Sequence, residues 1–183
     1  CRGLVALIQN SELEGIQILE RPIHYSDIGF FSNIFNLDIF AHSFHQDSIS
    51  FSKKAGTIRG MHFQNFPFSQ GKLINVLQGE ILDVFIDLRK DSKTFLSHGT
   101  LLMGQDNPLS LFIPRGFAHG FITLKENTLL SYKLDNAYNP DSEITLTWDD
   151  ETIDINWPSM HTYHISPKDK EGLALANILP ILD

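Results

Sequence analysis

The sequence predicts an all-β protein built as an antiparallel sandwich or barrel, and two observations support this prediction. Apolar residues between positions 15 and 148 recur in short runs that are bounded by Gly, Pro, Ser, Asp and Asn. Short runs bounded in this way are typical of strands. No helix of about ten residues fits between successive runs, so the strands connect directly, as they do in antiparallel folds.

The predicted strands follow one another through most of the chain. Gly79 lies between the third and the fourth strand, where a tight hairpin requires a positive φ. A turn at residues 139–141 precedes the last strand. The predicted strands are residues 16–19, 57–63, 73–78, 81–88, 99–103, 109–114, 117–124, 129–134 and 143–148.

Helices are predicted only at the periphery of the fold. One short amphipathic helix is expected at residues 33–42. A second is expected to begin after Ser166, because Ser is a favoured N-cap and Pro167 suits the first helical position. This helix is expected to extend to residue 178, before Pro180.

The amino-acid composition argues against several classes of protein. A chain of 183 residues with 42% hydrophobic residues fits one folded domain. The net charge of -8 argues against a nucleic-acid partner, although a locally basic cleft could still bind a compact anionic substrate. The only cysteine, Cys1, excludes an intrachain disulfide and favours a cytoplasmic protein. No apolar run approaches the roughly 18 residues of a membrane span, so no membrane association is expected.

Two segments resemble the sequence motifs of the cupin small barrel. They are residues 59–64, which contain His62, and residues 114–121, which contain His119. In metal-binding cupins a second His follows two residues after the first, because alternate strand residues face the barrel interior. Here Gln64 stands at that position, and no acidic residue occurs from position 65 to position 78. The sequence therefore predicts no metal site and leaves His62 and His119 available for proton transfer.

Each of these residues also has a purely structural interpretation. Most histidines in proteins lie on the surface or are hydrogen-bonded in the core. Taken alone, Arg59 would be the partner of a strand-end salt bridge, and Lys72 would be a solvated edge lysine. Their neighbourhood favours a functional role, because both flank His62 on adjoining segments and cations stabilise a phosphate or an enolate oxygen.

Taken together, the motifs resemble the dTDP-4-dehydrorhamnose 3,5-epimerase family. The resemblance runs in register from about Gln46 to Asp169. It implies a cupin-like jelly-roll barrel of antiparallel strands with short peripheral and C-terminal helices, and a homodimer that needs no metal or other cofactor. The segments that carry it are residues 59–64, 70–73, 79–90, 113–121, 132–133, 138–140 with Glu143, and 155–158.

On this resemblance the chain is a single epimerase domain. Residues 1–45 are expected to form N-terminal strands and a dimer arm, residues 46–157 the barrel, and residues 158–183 a C-terminal helical segment. The N-terminal extension up to Glu20 could pair with a partner subunit or cover an edge of its own barrel.

The resemblance implies epimerisation of a nucleoside-diphospho-4-keto-6-deoxyhexose at C3 and C5. Protons beside a ketone are acidic only when the enolate is stabilised, so the site needs a base, a cation at O4 and an acid on the opposite face. His62 matches the family's base, and Asp169 matches the carboxylate that orients it. Lys72 would hold the enolate oxygen. Tyr132 would return the proton, although without the resemblance it would be interpreted as a core aromatic residue.

Substrate-binding residues are also implied by the resemblance. Tyr138 matches an aromatic residue that stacks on the thymine ring. The chain departs from the family at three positions, where Ile28 replaces an Arg, Asn33 a Glu and Ser48 an Asn. The missing Arg removes a bidentate phosphate contact. The other matched binding positions are Gln46, Asp47, Arg59, Lys72, His119, Glu143 and Lys168.

Three alternatives remain open from the sequence. The first is an enzyme that epimerises C3 alone, and the second is a 3,4-ketoisomerase that acts on a related sugar nucleotide. Family members that stop after C3 share the His, Lys and Tyr set, so the motifs do not separate one inversion from two. A ketoisomerase would use the same His-based enolisation with a different product geometry. The third is a catalytically silent cupin that binds a sugar nucleotide, an interpretation favoured only by the departures at Ile28 and Ser48.

Overall fold

The computed structural model describes residues 7–10, 12–37 and 43–182, and strands dominate these residues. Near the C-terminal end lie two short helices, α1 (Pro167–Lys170) and α2 (Leu175–Ile178), and a 3-10 helix at Leu179–Ile181. The strands are β1 (Leu7–Asn10), β2 (Gln17–Glu20), β3 (His24–Ser26), β4 (Gly29–Phe31), β5 (Gln46–Ser52), β6 (Thr57–Gln64), β7 (Lys72–Gln78), β8 (Glu80–Asp87), β9 (His98–Gly104), β10 (Leu109–Ile113), β11 (Phe117–Thr123), β12 (Thr128–Leu134), β13 (Glu143–Thr145) and β14 (His164–Ile165).

Two large sheets form the body of the protein. The first has the strand order β1-β2-β10-β7-β12-β5, and the second has the order β13-β6-β11-β8-β9. Strand β14 adds to the second sheet beside β6, and this pair is the only parallel one among the described strands. Strands β3 and β4 form a separate hairpin. The prediction of an antiparallel all-β fold is confirmed.

The two sheets pack against each other around an apolar core. Ile74 and Leu130 from the first sheet meet Phe85 and Phe121 from the second in one cluster of buried side chains. Burial of apolar surface of this kind contributes roughly 25 cal/mol per Å² and is the main force holding the sheets together. Ile74, Phe121 and Leu130 also line a cavity, so the core continues directly into the candidate site.

The C-terminal segment covers the outer face of the second sheet. Leu175 and Ile178 of α2 pack with Met61 and Phe63 of β6 in a second apolar cluster. Because strand residues alternate between faces, this contact leaves His62 pointing to the inner side of the sheet. The C-terminal segment is thereby fixed beside the strand that carries His62.

The prediction of one C-terminal helix up to residue 178 is wrong. The helix ends at Lys170, and a second helix begins at Leu175. Between them the chain forms a strand-like bridge, in which the Leu173 N–H donates to the Thr145 carbonyl at 2.8 Å. A Cβ at Gly172 would lie 2.8 Å from the Thr147 nitrogen, so glycine permits the close approach that interrupts the helix.

Other differences from the sequence predictions are local. Gly79 has a φ of 80° in the β7–β8 turn, as predicted. The last predicted strand is shorter than expected, because β13 ends at Thr145. The helix predicted at residues 33–42 extends into residues 38–42, which lie outside the described residues. No described helix is both long and apolar enough to cross a lipid bilayer.

Within this chain the N-terminal extension covers an edge of its own first sheet. Strand β2 pairs with β10, and β1 pairs with the other side of β2. Of the two arrangements left open by the sequence, the structure contains the intrachain one.

Candidate active site

A cavity of about 310 Å³ lies between the two sheets. Its walls combine apolar core residues with a concentration of ionisable and polar side chains, which is the usual composition of a small-molecule site. Among the residues predicted from the sequence, the cavity is lined by Gln46, Arg59, His62, Lys72, His119, Tyr132, Tyr138 and Glu143.

His62 forms a dyad with Asp169. The Nε2 of His62 lies 2.5 Å from Oδ1 of Asp169, which is a buried residue on α1. Ser166 caps this helix and donates its hydroxyl to Oδ2 of Asp169 at 2.8 Å. Burial would raise the pKa of Asp169, but hydrogen bonds from His62, Ser166 and the Gly60 N–H outweigh it and lower the pKa. Asp169 is therefore a carboxylate at neutral pH, and it orients the imidazole.

A β-bulge brings Arg59 to the same side of the sheet as His62. Strands β6 and β11 are in register at His62 and again at Arg59, with one extra residue on β6 between these points. Gly60 lies in this bulge with a φ of 118°, and a Cβ there would lie 2.6 Å from the Cα of Gly120. Only glycine fits this backbone, so the sequence of β6 sets the direction of both functional side chains.

Lys72 enters the cavity from the first sheet. Its Nζ donates a hydrogen bond to the His62 carbonyl at 3.2 Å, so the ammonium group is held close to the dyad. Burial lowers the pKa of Lys72 to about 8, although the carboxylates of Asp83 and Glu143 oppose the shift. At pH 7 the side chain is still charged and can stabilise a developing oxyanion.

A second His–Asp pair lies in the same cavity. His119 Nε2 is 2.9 Å from Oδ2 of Asp83, whose side chain is fully buried in β8. Burial raises the pKa of Asp83 and lowers the pKa of His119, while their mutual attraction works against both shifts. The sequence motifs alone do not indicate a role for Asp83. A carboxylate inside an apolar strand is the signal that could have identified it, because such groups are rarely buried without a partner.

Tyr132 lies on the opposite wall from His62. It belongs to β12 of the first sheet, whereas His62 belongs to β6 of the second, and both line the cavity. The side chain of Tyr132 also packs against the central apolar cluster. The structural and functional interpretations of this residue are therefore compatible, since one ring can contact the core and the cavity.

Tyr138, Glu143 and Lys168 form a connected group at the edge of the cavity. The Tyr138 hydroxyl donates to Oε2 of Glu143 at 2.7 Å, and the Lys168 ammonium donates to the same oxygen at 2.5 Å. Burial would raise the pKa of Glu143, but these hydrogen bonds lower it. The group combines an aromatic face, an anion and a cation.

The two residues at the start of β5 point in different directions. Gln46 lines the cavity and donates to the Ser48 hydroxyl at 3.0 Å. Asp47 lies outside the cavity, where its carboxylate accepts from Lys133 at 2.5 Å. This difference follows from the alternation of side chains along a strand. Ile28, which stands where the family has an Arg, is fully exposed in the turn between β3 and β4.

Gln64 occupies the position of the second cupin histidine, but its amide is engaged elsewhere. Its Nε2 donates to the Phe68 carbonyl at 2.6 Å, and its Oε1 accepts from the Asn139 N–H at 2.8 Å. Within the described part of the chain, no three His, Cys, Asp or Glu side chains lie close enough together to hold a metal ion. His62 and His119, which line the cavity, are instead each paired with one carboxylate.

Comparison with known proteins identifies relatives of this chain. Residues 10–177 match the family described as dTDP-4-dehydrorhamnose 3,5-epimerase. The chain is 40% identical over 166 residues to the dTDP-4-dehydrorhamnose 3,5-epimerase of Sinorhizobium fredii, covering 87% of this chain and 85% of the relative.

Solved structures give the same result. The dTDP-4-dehydrorhamnose 3,5-epimerase of Bacillus anthracis with TDP and PPi bound is 40% identical, with a TM-score of 0.89 over 94% of this chain and 100% of that one. The dTDP-6-deoxy-D-glucose-3,5-epimerase of Legionella pneumophila, in complex with dTDP-4-keto-L-rhamnose, is 34% identical, with a TM-score of 0.87 over 92% of each chain. The cupin-like jelly roll predicted from the sequence is confirmed, and the chain belongs to the dTDP-4-dehydrorhamnose 3,5-epimerase family of isomerases.

Proposed function

We propose that this enzyme epimerises a dTDP-4-dehydro-6-deoxyhexose at C3 and C5 through an enolate. One observation carries the proposal: the His62–Asp169 dyad and Tyr132 face one cavity from opposite sheets. Inversion at carbon requires a proton to leave from one face and return to the other, which a base and an acid on opposite walls can do. The family to which the chain belongs supports the same reaction.

Each epimerisation begins with removal of a proton by His62. Because Asp169 is a carboxylate, it accepts the Nε2–H of His62, and the lone pair of Nδ1 is left to take the proton from C3 or C5. The C–H electron pair moves into an enolate whose negative charge rests on O4. Lys72 stabilises that oxygen as an ammonium ion. Tyr132 then donates its phenolic proton to the opposite face, and exchange with solvent restores both residues.

The nucleotide is proposed to lie at the edge of the cavity. Tyr138 offers an exposed aromatic face to the base, and Arg59 and Lys168 offer positive charge to the diphosphate. Glu143 fixes both Tyr138 and Lys168 through hydrogen bonds. The diphosphate contact is therefore proposed to depend on Arg59 and Lys168, since Ile28 cannot supply the contact made by the family's Arg.

Deuterium uptake from solvent tests this function. The enzyme is incubated with dTDP-4-dehydro-6-deoxyglucose in D2O, and the sugar is examined by NMR. We expect deuterium at both C3 and C5, together with inversion at both carbons. Deuterium at C3 alone would identify the enzyme as a C3 epimerase. A product with its ketone at C3 would identify it as a ketoisomerase. A sugar without label would indicate a silent binding protein and would overturn the proposal.

We infer, in addition, that the enzyme forms a homodimer. Strand β5 lies at the edge of the first sheet and exposes Ile49 (71%), and the β3–β4 hairpin exposes Tyr25, Ile28 and Phe30. An open strand edge and large exposed apolar side chains are typical of an interface. Sedimentation velocity should give twice the mass of 20.8 kDa. Ile49→Lys should shift the equilibrium toward monomer, whereas Leu102→Lys, an exposed position on β9, should not. A monomeric parent protein would contradict the inference.

A further inference from the structure

The side-chain amide of Gln64 is almost completely used by backbone groups. The residue is 5% exposed at the end of β6. Its Nε2 donates to the carbonyls of Phe68 at 2.6 Å and Ala137 at 3.2 Å, and its Oε1 accepts from the Asn139 N–H at 2.8 Å. A primary amide has two donor and two acceptor positions, so only one acceptor position remains unused by these contacts.

Two of these contacts lie on either side of Tyr138. The Ala137 carbonyl belongs to the peptide group that precedes Tyr138, and the Asn139 N–H belongs to the peptide group that follows it. Because peptide groups are planar, holding both of them restricts φ and ψ of the residue between them. Gln64 therefore controls the backbone from which the Tyr138 ring projects.

The Tyr138 ring is not held in one orientation by burial. Tyr138 is 53% exposed, and its hydroxyl is held by a single hydrogen bond to Glu143. An exposed side chain keeps much of its rotational freedom unless its backbone is constrained, and ordering it at the moment of binding costs free energy. A constraint on the Tyr138 backbone before binding reduces that cost.

Two neighbouring side-chain amides, those of Gln70 and Asn136, also join the loop after β6 to the loop after β12. Gln70 Nε2 donates to the Asn136 carbonyl at 3.0 Å. Asn136 Nδ2 in turn donates to the Pro67 carbonyl at 3.0 Å. Residues 65–71, after β6, are thus joined to residues 135–142, after β12. Of the two glutamines, only Gln64 contacts the peptide groups next to Tyr138.

We propose that Gln64 is a positioning residue that preorganises Tyr138 for nucleotide binding. The inference rests on the proposed function, in which Tyr138 contacts the base. It explains why an amide occupies the position at which metal-binding cupins place a histidine. The Phe68 and Ala137 carbonyls require a donor and the Asn139 N–H requires an acceptor, and a carboxylate at neutral pH can only accept.

The test is the affinity for TDP, measured by isothermal titration calorimetry without turnover. Gln64→Glu has nearly the same shape but lacks both donors, and we expect Kd to rise about 10-fold, or about 1.4 kcal/mol. Tyr138→Ala should weaken binding by at least as much, and the double variant should bind no more weakly than Tyr138→Ala alone. Gln17→Glu, which makes the same charge change on β2, should bind like the parent.

Steady-state kinetics and amide hydrogen exchange give two further tests of the Gln64 variants. In Gln64→Glu we expect KM to rise while kcat changes less than about threefold, because His62 and Tyr132 are untouched. Hydrogen exchange at the Asn139 amide should change little in Gln64→Glu, because the carboxylate still accepts this N–H. In Gln64→Leu, which removes the acceptor as well as both donors, this exchange should accelerate. If Gln64→Glu fails to fold, Gln64→Leu carries the same expectations for TDP affinity, KM and kcat without adding charge.

Two results would overturn the inference. Additive losses of affinity in the double variant would mean that Gln64 does not act through Tyr138, and unchanged TDP affinity in Gln64→Glu would remove its role in binding. Either result leaves the proposed function intact if the parent binds TDP. Absence of TDP binding by the parent would overturn the proposed nucleotide site itself.

Discussion

Nε2 of His62 and Oδ1 of Asp169 lie 2.5 Å apart, although 107 residues separate them in the chain. The pair depends on the C-terminal segment, whose α2 helix packs on the outer face of β6 while α1 delivers Asp169 to the dyad. The active site is therefore completed only when the end of the chain has folded onto the second sheet.

Asp169→Asn should lower kcat by on the order of 100-fold, the range expected for impaired general-base catalysis. The amide cannot stabilise the imidazolium that forms when His62 takes a proton. Steady-state kinetics with the dTDP-ketosugar measures the effect, and thermal unfolding monitors the fold. Glu171→Gln, an exposed carboxyl two residues away, is the matched control and should retain full activity. Comparable activity in Asp169→Asn and the parent would show that the carboxylate does not support the base.

Tyr132→Phe should slow inversion of the sugar much more than it slows proton exchange with solvent. His62 still removes the proton in this variant, so deuterium should enter C3 from D2O at a rate within about 10-fold of the parent. Inverted product should form at least about 100-fold more slowly, because the opposite face lacks its acid. NMR follows both quantities in one sample. Equal losses of exchange and inversion would argue against Tyr132 as the opposite-face acid.

The pH dependence of kcat/KM should report the ionisation of Lys72 in the free enzyme. Burial lowers its pKa to about 8, so the ammonium ion loses its proton as the pH rises through this value. Since only the charged form stabilises the enolate, kcat/KM should fall on the alkaline side with an apparent pKa of about 8. Lys72→Arg should have a lower kcat/KM but no such fall up to about pH 9, because arginine stays protonated. An alkaline fall at the same pH in Lys72→Arg would assign the titration to another group.

Asp87 should control stability in acid. Burial would raise its pKa, but hydrogen bonds from Arg89, Ser92 and Thr94 outweigh this and lower the pKa to about 2. Because the pKa in the folded protein lies below the ordinary value of 3.8, the carboxylate stabilises the fold above that value, and the contribution is lost as the pH falls toward 2. The shift corresponds to about 2 kcal/mol. Asp87→Asn should be less stable than the parent by this amount at pH 7, with a smaller difference at pH 3. Urea unfolding at both pH values tests this, and an unchanged difference would contradict it.

Much of the sheet architecture could be predicted from the sequence, because buried strands appear as short apolar runs bounded by turn residues. Strand β5 was missed since it lies at an edge and alternates polar residues with exposed Ile49 and Phe51. The interruption of the C-terminal helix was missed because it depends on a bridge between Leu173 and Leu146, which are distant in the chain.

Only some residues of the candidate site could be predicted from the strand motifs. The strand motifs indicated His62 and His119, whereas the pairing with Asp169 came from family resemblance, because residue spacing alone cannot place a distant helix. Gln64 was interpreted only as a missing metal ligand. Its hydrogen bonds to Ala137 and Asn139 became evident only when the fold brought the two loops together.

The central claim is that the His62 imidazole removes the proton next to the ketone, and deuterium uptake by His62→Ala tests it most directly. The variant is incubated with dTDP-4-dehydro-6-deoxyglucose in D2O, and TDP binding is measured in parallel to show that the site is intact. We predict that label enters C3 and C5 at least about 100-fold more slowly than in the parent, with TDP affinity retained. Label appearing at the parental rate would contradict the account.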